Sequence, residues 1–284
     1  MVVTVEDYAG EKSAWCPGCG NFGILTAMKR ALVELELQPQ QVLITSGIGQ
    51  AGKFPHYLKC NTLNGLHGRS LPLAIAAKIA NQELTVLAVG GDGDGYAEGG
   101  NHWIHTARRN PDITYLVHDN QVYALTKGQA SPTSDTDFVT KVTPRGAFMR
   151  FNPLAVAIAA EASFVARGFP GDQDLLVDLI KAGVRHRGFA FIDIQQPCVS
   201  FNHKNTWMWD AKRVYRLDKD GHDPKDKYAA FRKAQEWGDR IPVGIFYQVE
   251  RPTFEDDFPV LKSGPLVKQP IDPGRIEKIL DEFV

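Results

Sequence analysis

Four short runs of nearly continuous apolar residues punctuate the chain, at 42–45, 84–89, 113–117 and 189–194. Runs of this length that do not alternate with polar positions predict strands buried on both faces of a parallel sheet. Helical spacing fills the intervals. Ile24, Leu25, Met28 and Leu32 share one face of a helix predicted over 21–35, with Asn21 as its cap. A run of small residues predicts a helix over 71–81, and further helices are predicted over 154–167 and 172–187, the last started by Asp172 or Gly171 and stopped by Gly188. Strand–helix alternation of this kind gives an α/β fold. From Asp218 charge rises, a surface helix is predicted over 225–237, and 238–268 is proline-bearing with little periodicity. The chain therefore divides into a main domain over 1–210 and a C-terminal extension over 211–284 suited to contact with another subunit.

Each strand is followed by a turn of unusual chemistry. After the second comes Gly90-Gly91-Asp92-Gly93-Asp94-Gly95, in which glycine lets backbone approach a ligand and aspartate supplies hard oxygen. Asn120 lies 28 positions after Asp92, just beyond the next apolar run. Adjacent parallel strands would bring the two turns together, and an aspartate oxygen, an asparagine oxygen, a nearby carbonyl and two phosphate oxygens nearly complete a magnesium octahedron. A calcium loop of the EF-hand kind would need Glu twelve positions along, where Trp103 stands. Glycine-rich acidic turns also simply end strands. After the first strand, Ser46-Gly47-Ile48-Gly49-Gln50-Ala51-Gly52-Lys53 is a second such turn, placed where open parallel sheets bind ligands. Lys53 could meet a carboxylate or phosphate, or be solvated. His67, flanked by glycines, is not placed as a core histidine.

Cys16 and Cys19 form a Cys-x-x-Cys pair just before the first helix, where thiolate charge is favoured. A thioredoxin motif would follow a buried strand, and here the preceding residues are polar. A zinc site needs four ligands, and only Cys60 and Cys198 remain. An iron–sulfur cluster completed from elsewhere in the chain is the third reading, and two cysteines in a glycine turn the fourth.

Composition narrows the rest. A length of 284 residues with 43% hydrophobic content supports one large core, and a net charge of −1 offers no electrostatic case for nucleic acid or an anionic membrane. No apolar run reaches spanning length, the N-terminal residues lack a signal-peptide pattern, and four cysteines make no disulfide framework. The expectation is a cytoplasmic protein.

Taken together, Trp15-Cys16-Pro17-Gly18-Cys19-Gly20-Asn21, Ser46-Gly47-Ile48-Gly49, Leu66-His67-Gly68-Arg69, Gly91-Asp92-Gly93-Asp94, Asp119-Asn120-Gln121-Val122-Tyr123, the 126–133 stretch and Gln196-Pro197-Cys198 occur in one order. That order resembles the beta subunit of 2-oxoacid:ferredoxin oxidoreductases, most like the 2-oxoglutarate (Kor-type) branch, over about 10–210. The resemblance implies a doubly wound parallel sheet with a thiamine diphosphate-binding fold. It implies that Asp92, Asn120 and the Val122 carbonyl hold Mg²⁺. Ile48, Gly49, Gln50, Ala51, His67, Gly93, Asp94, Ala124 and Leu125 would surround thiamine diphosphate, with Leu125 where substrate choice is tuned. Lys53 and Lys127 match basic positions near the anionic substrate or coenzyme A. Cys16, Cys19 and Cys198 match three ligands of a [4Fe–4S] cluster, but the fourth position, in Gly-Ile-Gly-Cys, is Gln50 here, which leaves Cys60 as a candidate.

The implied chemistry is oxidative decarboxylation of a 2-oxoacid to acyl-CoA and CO₂, with electrons passing singly through the cluster to ferredoxin. A carboxylate is also needed on the thiamine aminopyrimidine. The resemblance implies that it is a glutamate of the partner alpha subunit, and the sequence offers no candidate for it in this chain. Two rivals remain at this level. A non-redox thiamine diphosphate-dependent decarboxylase or synthase subunit would have no need of Cys16 and Cys19, and a non-catalytic metal or electron-transfer subunit would not need Asp92, Asn120 and Lys53.

Overall fold

A computed structural model describes residues 2–271 and 273–283. Its centre is an eight-stranded sheet. The strands are β1 (Val42–Ser46), β2 (Asn61–Asn64), β3 (Thr85–Gly91), β4 (Ile113–Asp119), β7 (Phe164–Gly168), β8 (Phe189–Gln195), β9 (Val214–Arg216) and β10 (Ile241–Gln248). A small hairpin, β5 (Val122–Tyr123) with β6 (Gln129–Ala130), stands beyond β4. The order across the sheet is β2-β1-β3-β4-β8-β7-β10-β9, parallel throughout except where β10 runs against β7. The doubly wound fold is thus as expected from the sequence.

Successive residues of each central strand feed opposite cores, as a pleated strand requires. Leu87 and Val89 pack with Ile24 and Met28 of α1 (Gly20–Glu34) and with Leu176 and Ile180 of α5 (Gln173–Arg185). Val86 and Ala88 pack with Leu71 of α2 (Ser70–Ala80), Trp103 of α3 (Gly100–Arg109), Leu154 of α4 (Pro153–Ala159) and Ala230 of α7 (Lys227–Ala234). Two short helices, α6 (Trp207–Ala211) and α8 (Pro273–Asp281), complete the set. From β1 the chain moves outward to β2 and then returns past β1 to β3 and β4. The order therefore reverses between β1 and β3, and a doubly wound sheet leaves its crevice at that point.

Three expectations change. Residues 154–167 do not form one helix: α4 stops at Ala159, Glu161 turns left-handed (φ 65°), and Phe164–Gly168 enters the sheet fully buried. Alanine-rich residues satisfy either state, and the buried slot beside β8 decides. The stretch from 238, which shows little periodicity, contains β10, whose residues are almost all buried. Asn21 is not a cap; it lies inside α1, wholly buried, with Oδ1 2.7 Å from His118 Nδ1.

Candidate active site

The turns after β1, β3 and β4 meet at the switch point and wall one cavity. Ile48, Gly49, Gln50 and Ala51 come from the first turn and Asp92, Gly93 and Asp94 from the second; Asn120, Val122, Ala124 and Leu125 come from the third, and His67 closes the side. Every residue expected around thiamine diphosphate or Mg²⁺ therefore lines a single space. Lys53 does not: it sits in the 3-10 turn Ala51–Tyr57, outside the cavity lining. Lys127, left-handed at φ 76°, faces a separate groove of about 850 Å³ that Lys141, His203 and Lys204 also line.

Asp94 is the clamp. Its Oδ1 accepts hydrogen bonds from the Ile48 N–H (2.9 Å) and the Gly68 N–H (2.8 Å) and lies 2.8 Å from His67 Nδ1. One carboxylate thus ties the β1 turn to the His67 loop. Gly47 has to be glycine, since a Cβ there would lie 2.2 Å from the Asp94 carboxylate. Asn64 sews the same turn from the other side, donating to Ser46 Oγ (2.8 Å) and to the Gly47 and Gly52 carbonyls (both 3.0 Å). After Asp92 the chain makes a π-helical turn, Gly93–Glu98, a distortion frequent at functional sites.

Asp92 is buried, and burial pushes its carboxyl up to about 6 against hydrogen bonds from Ser131 and Thr133 that lower it. Asn120 Oδ1 accepts from the Val122 N–H (3.1 Å), an Asx turn that Gln121 completes in the left-handed region (φ 59°). The donors offered here, a carboxylate, a side-chain amide oxygen and a backbone carbonyl, are all hard oxygens. A buried carboxyl that shares the Thr133 hydroxyl with Asp119 is a site that a divalent cation relieves. The residues fit Mg²⁺.

A second cavity adjoins the first. Cys16, Cys19 and Cys198 line it together with Gln196, and Gln50, Asn120 and Ala124 belong to both walls. Topology brings the thiols together: the Gly20 N–H donates to the Pro197 carbonyl (3.1 Å), pinning the start of α1 to the loop after β8. Ser200 Oγ donates to Cys16 Sγ (3.0 Å) and Gln196 Nε2 reaches Cys19 Sγ at 3.5 Å, contacts that suit sulfur carrying negative charge. In the protein alone, burial, more than the neighbouring thiols Cys198 and Cys16, pushes the Cys19 thiol up to about 11. Among the described residues no three His, Cys, Asp or Glu side chains converge as one metal ion requires. Three thiols set around a void suit a multi-atom cluster better than a single ion. Cys60 is elsewhere, at the start of β2 beside Tyr8 and Ile44, and lines neither cavity.

Residues 46–194 match the thiamine pyrophosphate enzyme family's C-terminal TPP binding domain, and 198–263 match the C-terminal family of the pyruvate ferredoxin oxidoreductase beta subunit. The beta subunit of 2-oxoacid:ferredoxin oxidoreductase from Saccharolobus solfataricus is 46% identical over 253 residues, 84% of this chain and 83% of that one. The chain belongs to this family of beta subunits. The 2-oxoglutarate oxidoreductase subunit KorB of Mycobacterium tuberculosis is 34% identical to this beta subunit over 88% of its length and 79% of the relative's. A solved 2-oxoglutarate:ferredoxin oxidoreductase from Magnetococcus marinus, with 2-oxoglutarate, coenzyme A and succinyl-CoA bound, superposes with a TM-score of 0.90. It is 34% identical, and the match covers 98% of this chain and 96% of that one. This beta subunit is therefore part of a thiamine diphosphate-dependent 2-oxoacid:ferredoxin oxidoreductase, and an alpha subunit is its partner.

Several residues of the beta subunit's site were not singled out from the sequence. Gln196 joins the two cavities: its Oε1 accepts from Asn120 Nδ2 (3.0 Å) while its Nε2 faces Cys19. Thr133 Oγ1 lies 2.7 Å from Asp92 Oδ2 and 2.6 Å from Asp119 Oδ1. A hydroxyl has one hydrogen, so both contacts are served only if a carboxyl supplies the second. Burial, with the charges of Asp193 and Asp92, pushes Asp119 far above the usual carboxylate range. Beneath it Asp193 accepts from Tyr96 Oη (2.7 Å) and Arg167 Nε (3.2 Å) in a fully buried pair. Gln196, Asp119 and Thr133 stand in motifs quoted above, but nothing in those motifs marks these three as site residues.

Proposed function

We propose that this beta subunit, with its alpha subunit, catalyses oxidative decarboxylation of 2-oxoglutarate to acyl-CoA and CO₂ in the cytoplasm. Cys16, Cys19 and Cys198 would hold an iron–sulfur cluster on this chain, which would supply the electron transfer to ferredoxin. The observation that carries the reading is the shared wall: an oxygen-donor cavity and a three-thiol cavity meet across Gln50, Asn120 and Ala124. A non-redox thiamine enzyme has no use for the second cavity. The 2-oxoglutarate assignment draws on the KorB relative and on the ligands of the Magnetococcus marinus structure.

Asp92, Asn120 and the Val122 carbonyl would hold Mg²⁺ and, through it, the diphosphate. Thiamine diphosphate, when bound, supplies a thiazolium that accepts the charge left on the acyl carbon as CO₂ departs. The chain's own part is positional. Asp94 fixes the Ile48 turn and His67 against the cavity. Leu125, partly exposed on the rim, would shape the substrate end, and Lys127 in the adjoining basic groove would meet the substrate carboxylate or coenzyme A phosphates. Lys53, outside the cavity, would serve this role only from the rim beneath the alpha subunit. The test is ferredoxin reduction by the purified complex given 2-oxoglutarate and coenzyme A, with pyruvate beside it. CO₂ release without ferredoxin reduction would replace this reading with a non-redox decarboxylase.

A further inference from the structure

The donor set around the cysteine cavity is lopsided. Three thiols come from two separate turns, and the side facing the thiamine cavity is closed by Gln50. Gln50 Oε1 is buried and has no hydrogen-bond partner among the described residues. An orphaned amide oxygen is costly to bury unless something outside the protein's own groups satisfies it. The residue is held in place as well: Trp15 Nε1 donates to the Gln50 carbonyl (2.9 Å), and the Trp15 ring is itself wedged against Phe22, Phe54 and Tyr57.

Cys60 cannot take that side without refolding β2. Register pairs Leu43 with Asn61 and Ser46 with Asn64, so the cavity lies beyond Asn64 and Cys60 precedes Asn61. Four residues of strand at about 3.3 Å each put Cys60 roughly 13 Å short of the strand end that carries the site. Its thiol is spent on the neighbouring Asn61 carbonyl (3.3 Å) and lies near Ile44 and Tyr8.

We propose that the cluster of this beta chain is bound by Cys16, Cys19 and Cys198 at three corners and by the Gln50 carboxamide oxygen at the fourth. The inference rests on the cluster reading above and refines it. A neutral oxygen is a weaker ligand for iron than a thiolate, so the iron at Gln50 is the exchangeable one. One fewer negative ligand also makes the cluster less anionic, which raises its potential relative to an all-thiolate cluster. Because Gln50 belongs to both walls, that iron is the one facing the thiamine cavity.

The test uses the αβ complex prepared without oxygen, as wild type and as the Gln50→Cys, Gln50→Ala, Cys60→Ser and Cys16→Ser variants. Iron content and electron paramagnetic resonance are followed during ferricyanide titration, and the cluster midpoint potential is measured. Ferricyanide accepts one electron as [4Fe–4S]²⁺ becomes [3Fe–4S]⁺ and Fe²⁺ leaves. Wild type and Cys60→Ser should lose one iron of four at the same oxidant level and give the three-iron signal. Gln50→Cys should keep four irons there and titrate at a lower potential, and Gln50→Ala should lose its iron more readily than wild type. Wild type that resists the oxidant as Gln50→Cys does, Gln50→Ala no more labile than wild type, or a Cys60→Ser variant lacking the fourth iron each overturns the Gln50 assignment while leaving a cluster in place. Wild type with no more iron than Cys16→Ser overturns the cluster reading itself and the Gln50 assignment with it.

Discussion

Asp92 shows what one residue must resolve. It is 2% exposed, so burial disfavours the charged carboxylate, and hydrogen bonds from Ser131, Thr133 and the backbone at Gly93 and Asp92 favour it, as a bound cation would. Asp92→Ala should abolish Mg²⁺-dependent thiamine diphosphate binding by calorimetry while circular dichroism stays native, because a turn carboxylate packs no core. Undiminished affinity would sink the metal assignment. Thr133→Val removes an outer partner and should weaken binding about 10- to 100-fold, the usual range for such partners. Asp92 and Asn120 could be picked out in advance because their residue types, spacing and place after a strand name one chemistry. Thr133, Gln196 and Asp119 could not, since their roles depend on which turns the fold brings within 3 Å. Asp210 poses a different problem in the same scaffold. It is buried with Oδ1 unpartnered, and burial pushes its carboxyl up to about 7 despite the charges of Arg167 and Arg213. A carboxyl raised in the folded state favours unfolding at high pH. Its penalty is absent below the ordinary value of 3.8, grows as pH rises, and is complete above about 7. Asp210→Asn should therefore stabilise the chain at pH 8, by about 4 kcal/mol at most, and hardly at all at pH 4. Urea unfolding at the two pH values checks this; equal effects at both would show that the charge is not the cause.

At the scale of elements, Asp172 does two jobs that the sequence half revealed. It caps α5 by accepting from the Leu175 N–H (3.3 Å), and it accepts two hydrogen bonds from Arg216 of β9 (2.7 and 2.6 Å). The Arg216 hydrogen bond is the main reason its carboxyl lies below the usual range. Asp172→Ala should cost about 1 kcal/mol for the cap and less than about 1 more for the half-exposed pair. A carboxyl lowered in the folded state contributes stability above its unfolded pKa and loses it as pH falls through the folded one. The mutational cost should therefore be present at pH 7 and shrink on acidification below about 4. Capping was legible because an aspartate before an amphipathic run has one obvious use; the tie to β9 was not, since the partners are 44 positions apart. The same distinction explains the strands. β1, β3, β4 and β8 carry branched and aromatic residues between turns and announce themselves. β7 hides in an alanine-rich run with helical spacing, and only the slot between β8 and β10 makes it a strand. β10 was obscured by the prolines around it, although Ile241–Gln248 is itself a buried apolar run.

The molecule as a whole is built to be incomplete. The carboxylates lining the thiamine cavity are Asp92 and Asp94. Asp92 is proposed above as a ligand of the metal, and Asp94 Oδ1 is held by the Ile48 and Gly68 amides and by His67. We expect neither to replace the activating carboxylate of an alpha subunit. Purified alone, with a 2-oxoacid, coenzyme A and a redox dye, the chain should show no turnover; measurable turnover would refute the division of the site. The far end of the chain points the same way. Ile276, Ile279 and Leu280 of α8, continued by Phe283, fall at the spacing of one helical face, and all four are exposed. An apolar stripe on a nine-residue helix has little reason to stay in water. We expect it to be covered by the alpha subunit, in keeping with a C-terminal segment that contacts another subunit. A chain ending at Pro270 should keep the thiamine site, and hence Mg²⁺-dependent cofactor binding, because among the described residues no cavity residue lies beyond it. Its affinity for the alpha subunit should fall by at least about 2 kcal/mol, roughly 30-fold in Kd, the loss expected when buried anchors are removed from an interface. Ile279→Glu in the full-length chain should reproduce much of that loss with no change in length. An unchanged Kd in both, measured by interferometry against the alpha subunit, would show that α8 docks elsewhere or not at all.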